Sequence, residues 1–329
     1  MAALLISHRC NFEHGADLTA LAAHEALPLE LIVLPPEPEG RLSDADCARV
    51  EAAFFSGDVF PDYARQFFSA ARKAAHLEWM HVFNAGLDHP IYAEMLSRGV
   101  RLTTSSGSTA EPIAQTAIAA LLMLARNFPR WIAAQASRAW EPMQGADVPP
   151  DLRGENVLVV GLGHIGKAFA RIAQALGLHV IGVRRSPPAS DDPVDELHAP
   201  ERLPELLPRA QWLVIACPLT AETRGLIDAG ALARLPRGAR VINVARGEIV
   251  DEAALIAALE RAHLGGAYLD VFEKEPLPAD SPLWRMQNVL ISPHNSAAAA
   301  GNDARVYAIF RDNLQRWLRG APLVNEVQK

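Results

Sequence analysis

The sequence predicts an α/β protein of two domains, one a doubly wound parallel sheet inserted into the other. Three observations carry this. The chain has 329 residues, about twice the ordinary single-domain length. Apolar runs of strand length alternate with helical segments along most of it, the rhythm of a parallel sheet with helices on its faces. One of those runs, Val157-Leu158-Val159-Val160, leads directly into Gly161-Leu162-Gly163-His164-Ile165-Gly166, a glycine-spaced turn before a helical segment.

The first hundred residues read as the smaller, flavodoxin-like α/β domain. Strands are expected at Ala2 to Ser7, Leu29 to Leu34, Ala52 to Phe55, His81 to Asn84 and Arg101 to Thr104, with helices at Ala16 to Ala26 and Tyr63 to Ala75. The stretch from Pro35 to Gly40 is a loop, because three prolines and a glycine sustain neither periodicity. Ser105 to Thr109 then supplies capping residues for a long helix over Ala110 to Arg126, with Glu111 and Pro112 in its first turn. Ile113, Ile118, Leu121, Leu122 and Leu124 make it apolar around much of its circumference, which predicts burial between domains or between subunits.

From Asn156 the strand–helix rhythm is strict. Strands are expected at Asn156 to Val160, His179 to Val183, Trp212 to Cys217, Arg240 to Val244, Ala267 to Val271 and Asn288 to Ser292. Helices are expected at His164 to Leu176, Thr223 to Leu235 and Asp251 to His263. Six continuously apolar strands, buried on both faces, match the Rossmann-type dinucleotide-binding fold. A helix at Asp303 to Leu318 is most simply a return to the first domain. Residues 1–102 and 295–329 are therefore expected to form a substrate domain and residues 103–294 a dinucleotide-binding domain, with two hinges around a cleft.

Composition excludes several classes. Half the residues are hydrophobic and 21% are charged, a globular balance that argues against disorder. The net charge of −7 has the wrong sign for a nucleic-acid partner. Cys10, Cys47 and Cys217 are odd in number and far apart, so reduced thiols are expected rather than a disulfide framework or a zinc site. The longest apolar stretch, Ile113 to Ala125, is too short to cross a bilayer. The first residues do not read as a signal peptide. A cytoplasmic protein with no membrane partner is expected.

The glycine turn assigns a ligand. Gly161 permits the tight turn, Gly163 lets the backbone approach a pyrophosphate, and Gly166 lets the helix pack on the strand; the helix N-terminus then offers unpaired N–H groups to the phosphates. After the second strand of this domain, where an NAD site usually places a carboxylate, stand Arg184, Arg185 and Ser186. Guanidinium forks suit a 2′-phosphate, which a carboxylate would repel. NADP(H) is the favoured cofactor and NAD(H) the alternative.

Three polar residues follow late strands: Arg246 after Asn243-Val244-Ala245, Glu275 after Asp270-Val271-Phe272-Glu273-Lys274, and His294 after Ser292-Pro293. Together with the glycine turn, Cys217-Pro218-Leu219-Thr220 and Asn84-Ala85-Gly86-Leu87-Asp88, these segments resemble the D-isomer-specific 2-hydroxyacid dehydrogenases, in that family's order and across both domains. Within the family the chain looks most like the glyoxylate/hydroxypyruvate reductase branch.

The resemblance implies hydride transfer between a nicotinamide cofactor and a small 2-keto or 2-hydroxy acid such as glyoxylate or hydroxypyruvate. His294 would be the acid/base, since imidazolium donates a proton near neutral pH. Glu275 would hold the ring, and Arg246 would bind the carboxylate and polarise the carbonyl. Backbone N–H groups of Ala85 and Gly86 would complete the carboxylate cradle. Asp270 would orient the nicotinamide amide, and His164, Ile165, Ser186, Pro218, Thr223 and Ala245 would contact the nucleotide. The resemblance further implies a homodimer joined through the nucleotide domain, with Trp140 a candidate to line the substrate pocket across that boundary. Bulky substrates are disfavoured on family grounds.

Gln115 stands where many relatives carry Glu, and Asn295-Ser296-Ala297 follows His294 in place of a commoner glycine-rich run. Two other readings stay open. One is an NAD-dependent dehydrogenase of the phosphoglycerate type; the other is a non-catalytic, NAD(H)-sensing protein like the corepressors built on this scaffold.

Overall fold

Ala2–Ile6, Leu29–Val33, Ala52–Phe55, Trp79–Val82 and Arg101–Thr104 are five strands, β1 to β5, of one parallel sheet in the order β2-β1-β3-β4-β5. That is the flavodoxin-like order. These strands come from a computed structural model that describes residues 2–87 and 89–327. The fourth strand starts two residues before the position expected from sequence. Trp79 and Met80 are fully buried and pair with Arg101 and Leu102, whereas Phe83 and Asn84 leave the sheet. The first helix, His8–His24, also begins earlier than expected, because Ser7 caps it by accepting a hydrogen bond from the Cys10 N–H.

One buried polar chain crosses this sheet. Trp79 Nε1 donates to Thr103 Oγ1 at 2.8 Å, and Thr103 Oγ1 lies 2.7 Å from His81 Nδ1. His81 Nε2 lies 2.9 Å from Ser105 Oγ, which itself donates to the Val82 carbonyl at 3.0 Å. With the Ser105 proton committed, His81 must donate through Nε2 and accept at Nδ1, so the network assigns a neutral ring. Burial holds the His81 imidazole down at about 3.

The helix Asn302–Leu318 belongs to this same unit. Val306, Phe310 and Leu314 pack on Leu4, Ile6, Phe54 and Trp79, and the Phe310 ring stacks on Phe54 at 3.9 Å.

The second unit holds seven parallel strands: β6 Asn156–Val160, β7 His179–Val183, β8 Glu196–His198, β9 Trp212–Ile215, β10 Arg240–Asn243, β11 Gly266–Leu269 and β12 Val289–Ile291. Their order is β12-β11-β10-β9-β6-β7-β8. The expected count was six. The extra strand is a polar edge strand without an apolar run to announce it, and Glu196 is bonded by Arg209, His179 and His198. The helix expected over Thr223 to Leu235 shrinks to Ala229–Arg234, because Asp228 caps it at Ala231 and the Thr223 hydroxyl instead ties back to the Pro218 carbonyl.

The helix Ala110–Ala125 is covered within its own unit, where Ala114, Ala117 and Leu121 are fully buried in a core with Val157, Phe169 and Tyr268. Its apolar circumference therefore does not by itself call for a second subunit, and Thr109 makes no side-chain cap. The units divide at Ser108/Thr109 and Ala299/Ala300, a few residues beyond the expected 102/103 and 294/295. Thr103 and Thr104 still belong to β5, and the Asn295 and Ser296 N–H groups still bond to Asp270. Among the described residues no helix is long and apolar enough to cross a membrane.

Candidate active site

Every candidate catalytic and nucleotide-binding residue of the second unit follows the C-terminal end of a parallel strand, the edge at which open α/β sheets bind ligands. Residues 161–166 follow β6, 184–186 follow β7, and 217–223 follow β9. Arg246, Glu275 and His294 follow β10, β11 and β12, which are neighbours in the sheet. Three residues far apart in sequence are thus brought to one half of one edge, and the glycine turn to the other.

At the turn, two glycines are required by packing and one leaves room. Gly161 has φ +99°, and a Cβ there would stand 2.5 Å from the Cys217 nitrogen. A Cβ on Gly166 would stand 1.9 Å from the Gly161 carbonyl oxygen. A Cβ built on Gly163 would meet nothing within 4 Å, so there is open space beside the N-terminus of the helix His164–Ala175. This fits a pyrophosphate on that terminus. His164 is exposed at its first position, and Ile165 packs against the core below. In the neighbouring loop Thr223 Oγ1 donates to the Pro218 carbonyl at 2.7 Å and accepts from the Thr220 N–H at 2.7 Å.

The two arginines after β7 have different situations. The Arg184 side chain is 10% exposed and clamps Asp192 with two bonds of 2.7 Å, while its Nε donates to the Ser186 carbonyl. Lys167 reaches the same carboxylate at 2.9 Å. The Ala189 N–H, then Lys167 and Arg184, hold the Asp192 carboxyl at about 2. Arg184 is therefore a structural clamp for its loop, and sequence reasoning missed its partner Asp192. Arg185 is exposed, and among the described residues it makes no ion pair.

His294 Nδ1 lies 2.8 Å from Glu275 Oε2, and the other Glu275 oxygen accepts from the Phe272 N–H at 3.1 Å. Both side chains are partly open to solvent, so the ring is anchored on one nitrogen and accessible. The His294 backbone is left-handed, with φ +51°, a conformation a non-glycine residue adopts only when its surroundings impose it. Asp270 imposes it. Its carbonyl accepts from the His294 N–H at 2.8 Å; Oδ1 accepts from Ser292 Oγ, the Asn295 N–H and the Ser296 N–H at 2.5, 2.9 and 3.0 Å; Oδ2 accepts from Ser296 Oγ. Asp270 is 2% exposed. Its side chain organises the His294 loop. The serines Ser292 and Ser296, which the sequence reading left unassigned, complete that clamp.

Arg246 Nη1 donates to the Ala245 carbonyl at 2.7 Å, and the Arg246 carbonyl accepts from Asn243 Nδ2 at 3.0 Å. Asn243 Oδ1 in turn accepts from the Ala245 N–H. A Cβ on Gly247 would lie 1.9 Å from the Phe272 carbonyl carbon. Glycine at this position lets the Arg246 segment press directly on the segment that leads to Glu275.

In the first unit, Asn84 Nδ2 donates to the Gly86 carbonyl, and Tyr92 OH donates to Asn84 Oδ1 at 3.2 Å. These bonds shape the loop that carries the Ala85 and Gly86 N–H groups. Asp88 lies outside the described residues. Trp140 is 97% exposed.

A glycine turn at a helix N-terminus on one half of a sheet edge, and an anchored imidazole and an arginine on the other half, are the arrangement of a nicotinamide-dependent oxidoreductase. The family model for the NAD binding domain of D-isomer specific 2-hydroxyacid dehydrogenases matches residues 118–296, and the chain belongs to that family.

The chain is 35% identical over 237 residues to (S)-sulfolactate dehydrogenase of Chromohalobacter salexigens, covering 71% of this chain and 75% of that one. It is 33% identical over 260 residues to glyoxylate reductase of Korarchaeum cryptofilum, covering 77% and 76%. Among solved structures, a D-isomer specific 2-hydroxyacid dehydrogenase from Xanthobacter autotrophicus in complex with NADPH and MES superposes with a TM-score of 0.77 at 32% identity, over 99% of this chain and 98% of that one. An NADPH-dependent glyoxylate/hydroxypyruvate reductase from Sinorhizobium meliloti, with NADP and sulfate, gives 0.74 at 25% identity over 99% and 98%.

Proposed function

We propose that this enzyme reduces the carbonyl of a 2-oxo acid such as glyoxylate or hydroxypyruvate, with NADPH as the preferred coenzyme. The observation that carries the reading is the 2.8 Å His294–Glu275 pair on the strand end next to that of Arg246. Reduced nicotinamide, when bound, supplies the hydride that adds to the carbonyl carbon. His294 donates the proton that the carbonyl oxygen takes up, through Nε2, because Glu275 occupies Nδ1. Glu275 fixes the ring and its orientation through Nδ1. Arg246 binds the substrate carboxylate with its planar fork and polarises the carbonyl. The Ala85 and Gly86 N–H groups complete the carboxylate cradle. Gly161, Gly163, His164, Ile165 and Gly166 hold the pyrophosphate, with Pro218, Thr223 and Ala245 along the rest of the nucleotide.

The absence of a carboxylate directly after β7 supports NADPH, and Arg185 is the residue assigned to its 2′-phosphate; Arg184 is already engaged by Asp192. The two relatives of known structure described above were solved with NADPH or NADP. We further assign a cytoplasmic homodimer. Its support is three free cysteines and an exposed apolar surface at Phe128, Trp131, Ile132 and Trp140.

The test is NADPH oxidation with glyoxylate and hydroxypyruvate by the wild type and by His294→Ala. Turnover by the wild type is expected to fall about 100- to 10,000-fold in the variant, with NADPH affinity, read by fluorescence titration, retained. Undiminished activity in His294→Ala removes that residue from the mechanism.

A further inference from the structure

The first unit contains an aromatic pocket that a substrate as small as glyoxylate does not need. It has a volume of about 500 Å³ and is lined by Phe55, Phe60, Phe68, Phe83 and Tyr92, within the range of small-molecule sites of about 300–1,000 Å³. The rings form a continuous wall: Phe60 to Phe83 at 6.4 Å, Phe83 to Phe55 at 5.5 Å, Phe55 to Phe68 at 4.6 Å, and Phe68 to Tyr92 at 6.1 Å. Phe60 is 61% exposed, an unusual position for a phenyl ring in a free-standing wall.

The pocket begins where the candidate carboxylate cradle ends. Asn84 and Gly86 line it, and Tyr92 at its wall donates to Asn84, which holds Gly86. A 2-oxo acid whose carboxylate rests on the Ala85 and Gly86 N–H groups therefore has this cavity within reach of its third carbon. The lining is predominantly aromatic and apolar, with two arginines at its edge. Of the two arginines in the lining, Arg72 is bound by Glu94 through three hydrogen bonds of 2.8 to 3.1 Å. The other, Arg65, is exposed.

We infer that the pocket receives the side chain of the substrate, and that the preferred substrates are 2-oxo acids with an aromatic or branched apolar side chain. This rests on the 2-oxo acid reading above and reverses the expectation of small substrates only. Burial of one methylene-sized group in such a pocket is worth roughly 10-fold or more in kcat/KM.

The experiment measures kcat/KM with NADPH for glyoxylate, hydroxypyruvate, oxaloacetate, 4-methyl-2-oxopentanoate and phenylpyruvate. The expected result is a preference for phenylpyruvate over glyoxylate of about 100-fold or more. Ala64 also lines the pocket, so Ala64→Leu narrows it, while Phe60→Ala opens its wall; both are expected to reduce the phenylpyruvate-to-glyoxylate ratio by about 10-fold. Circular dichroism would show that they fold. Equal or better use of glyoxylate overturns the inference and leaves the reductase reading standing. A preference for oxaloacetate also overturns it, and would point to Arg65. Turnover of none of the five overturns the reductase reading itself.

Discussion

His294 Nδ1 stands 2.8 Å from Glu275 Oε2, and the Glu275 carboxylate is itself fixed at 3.1 Å by the Phe272 N–H. The imidazole is held from behind by a group that is also held, which on the proposed reading leaves Nε2 as the nitrogen that donates the proton. Removing the negative charge while keeping the shape isolates its contribution. Glu275→Gln is expected to lose a large part of the 100- to 10,000-fold factor typical of a positioned acid, in kcat rather than in coenzyme affinity. Steady-state kinetics with a coenzyme titration check this, and a KM effect alone would contradict it.

Gly247 provides a second test of the same geometry, in which no titrating group is itself replaced. The Phe272 backbone occupies the space of a side chain there, so Gly247→Ala must push the Arg246 and Glu275 segments apart. The expected outcome is a loss of about 1–3 kcal/mol in stability and a fall in kcat of about a hundredfold. Thermal melting and turnover measure the two separately. Wild-type kinetics in this variant would mean that the contact does not position Arg246.

The arginines after β7 should separate cleanly. Arg185→Ala is expected to raise KM for NADPH by roughly 10- to 100-fold, the worth of a charged hydrogen bond to phosphate, with little change for NADH. Arg184→Ala, which leaves the Asp192 carboxylate to Lys167 and the Ala189 N–H alone, is expected to lower the melting temperature and weaken both coenzymes. If Arg184→Ala instead discriminates between the coenzymes, the assignment of the two residues is reversed.

The His81 ring predicts a pH dependence of stability. Its folded value of about 3 lies below the unfolded value of 6.5, so the unfolded chain takes up a proton that the native state refuses. Stability is therefore full above about pH 6.5 and falls as the pH drops toward 3, with a slope from this residue of about 1.4 kcal/mol per pH unit. In His81→Gln that slope should be shallower by about the same amount, although the variant is less stable at neutral pH. Urea unfolding between pH 7 and pH 4.5 reads it, and parallel slopes would exclude His81 as the source.

For assembly, the exposed apolar surface at Trp131 and Ile132 is expected to be an interface between copies. Sedimentation at micromolar concentration should give a dimer, and Ile132→Glu a monomer. A monomeric wild type would contradict the homodimer.

Much of this was legible in the sequence, for identifiable reasons. Parallel strands buried on both faces are continuous apolar runs, so Asn156–Val160 and His179–Val183 were placed to the residue. Gly161, Gly163 and Gly166 stand out because their spacing answers a steric need. What remained hidden depends on partners distant in sequence. Asp192 looks like any loop carboxylate until it is found between Arg184 and Lys167. Nothing local to Asp270 announces that Ser292, Asn295 and Ser296, more than twenty residues on, all bond to it. The edge strand Glu196–His198 has one apolar residue, Leu197, and no apolar run, and the aromatic pocket gathers Phe55, Phe60, Phe68, Phe83 and Tyr92 from separate elements.

The discontinuity of the first unit has a consequence for how the polypeptide acquires its structure. Phe310 and Leu314 fill the hydrophobic centre around Phe54 and Trp79, but a ribosome delivers them only after the whole of Thr109–Ala299 has been made. The inserted unit is free to mature during translation, while the earlier-made sheet waits with an apolar face uncovered. Chaperone dependence and aggregation during expression should therefore track lesions in the helix Asn302–Leu318 more closely than lesions in the inserted unit.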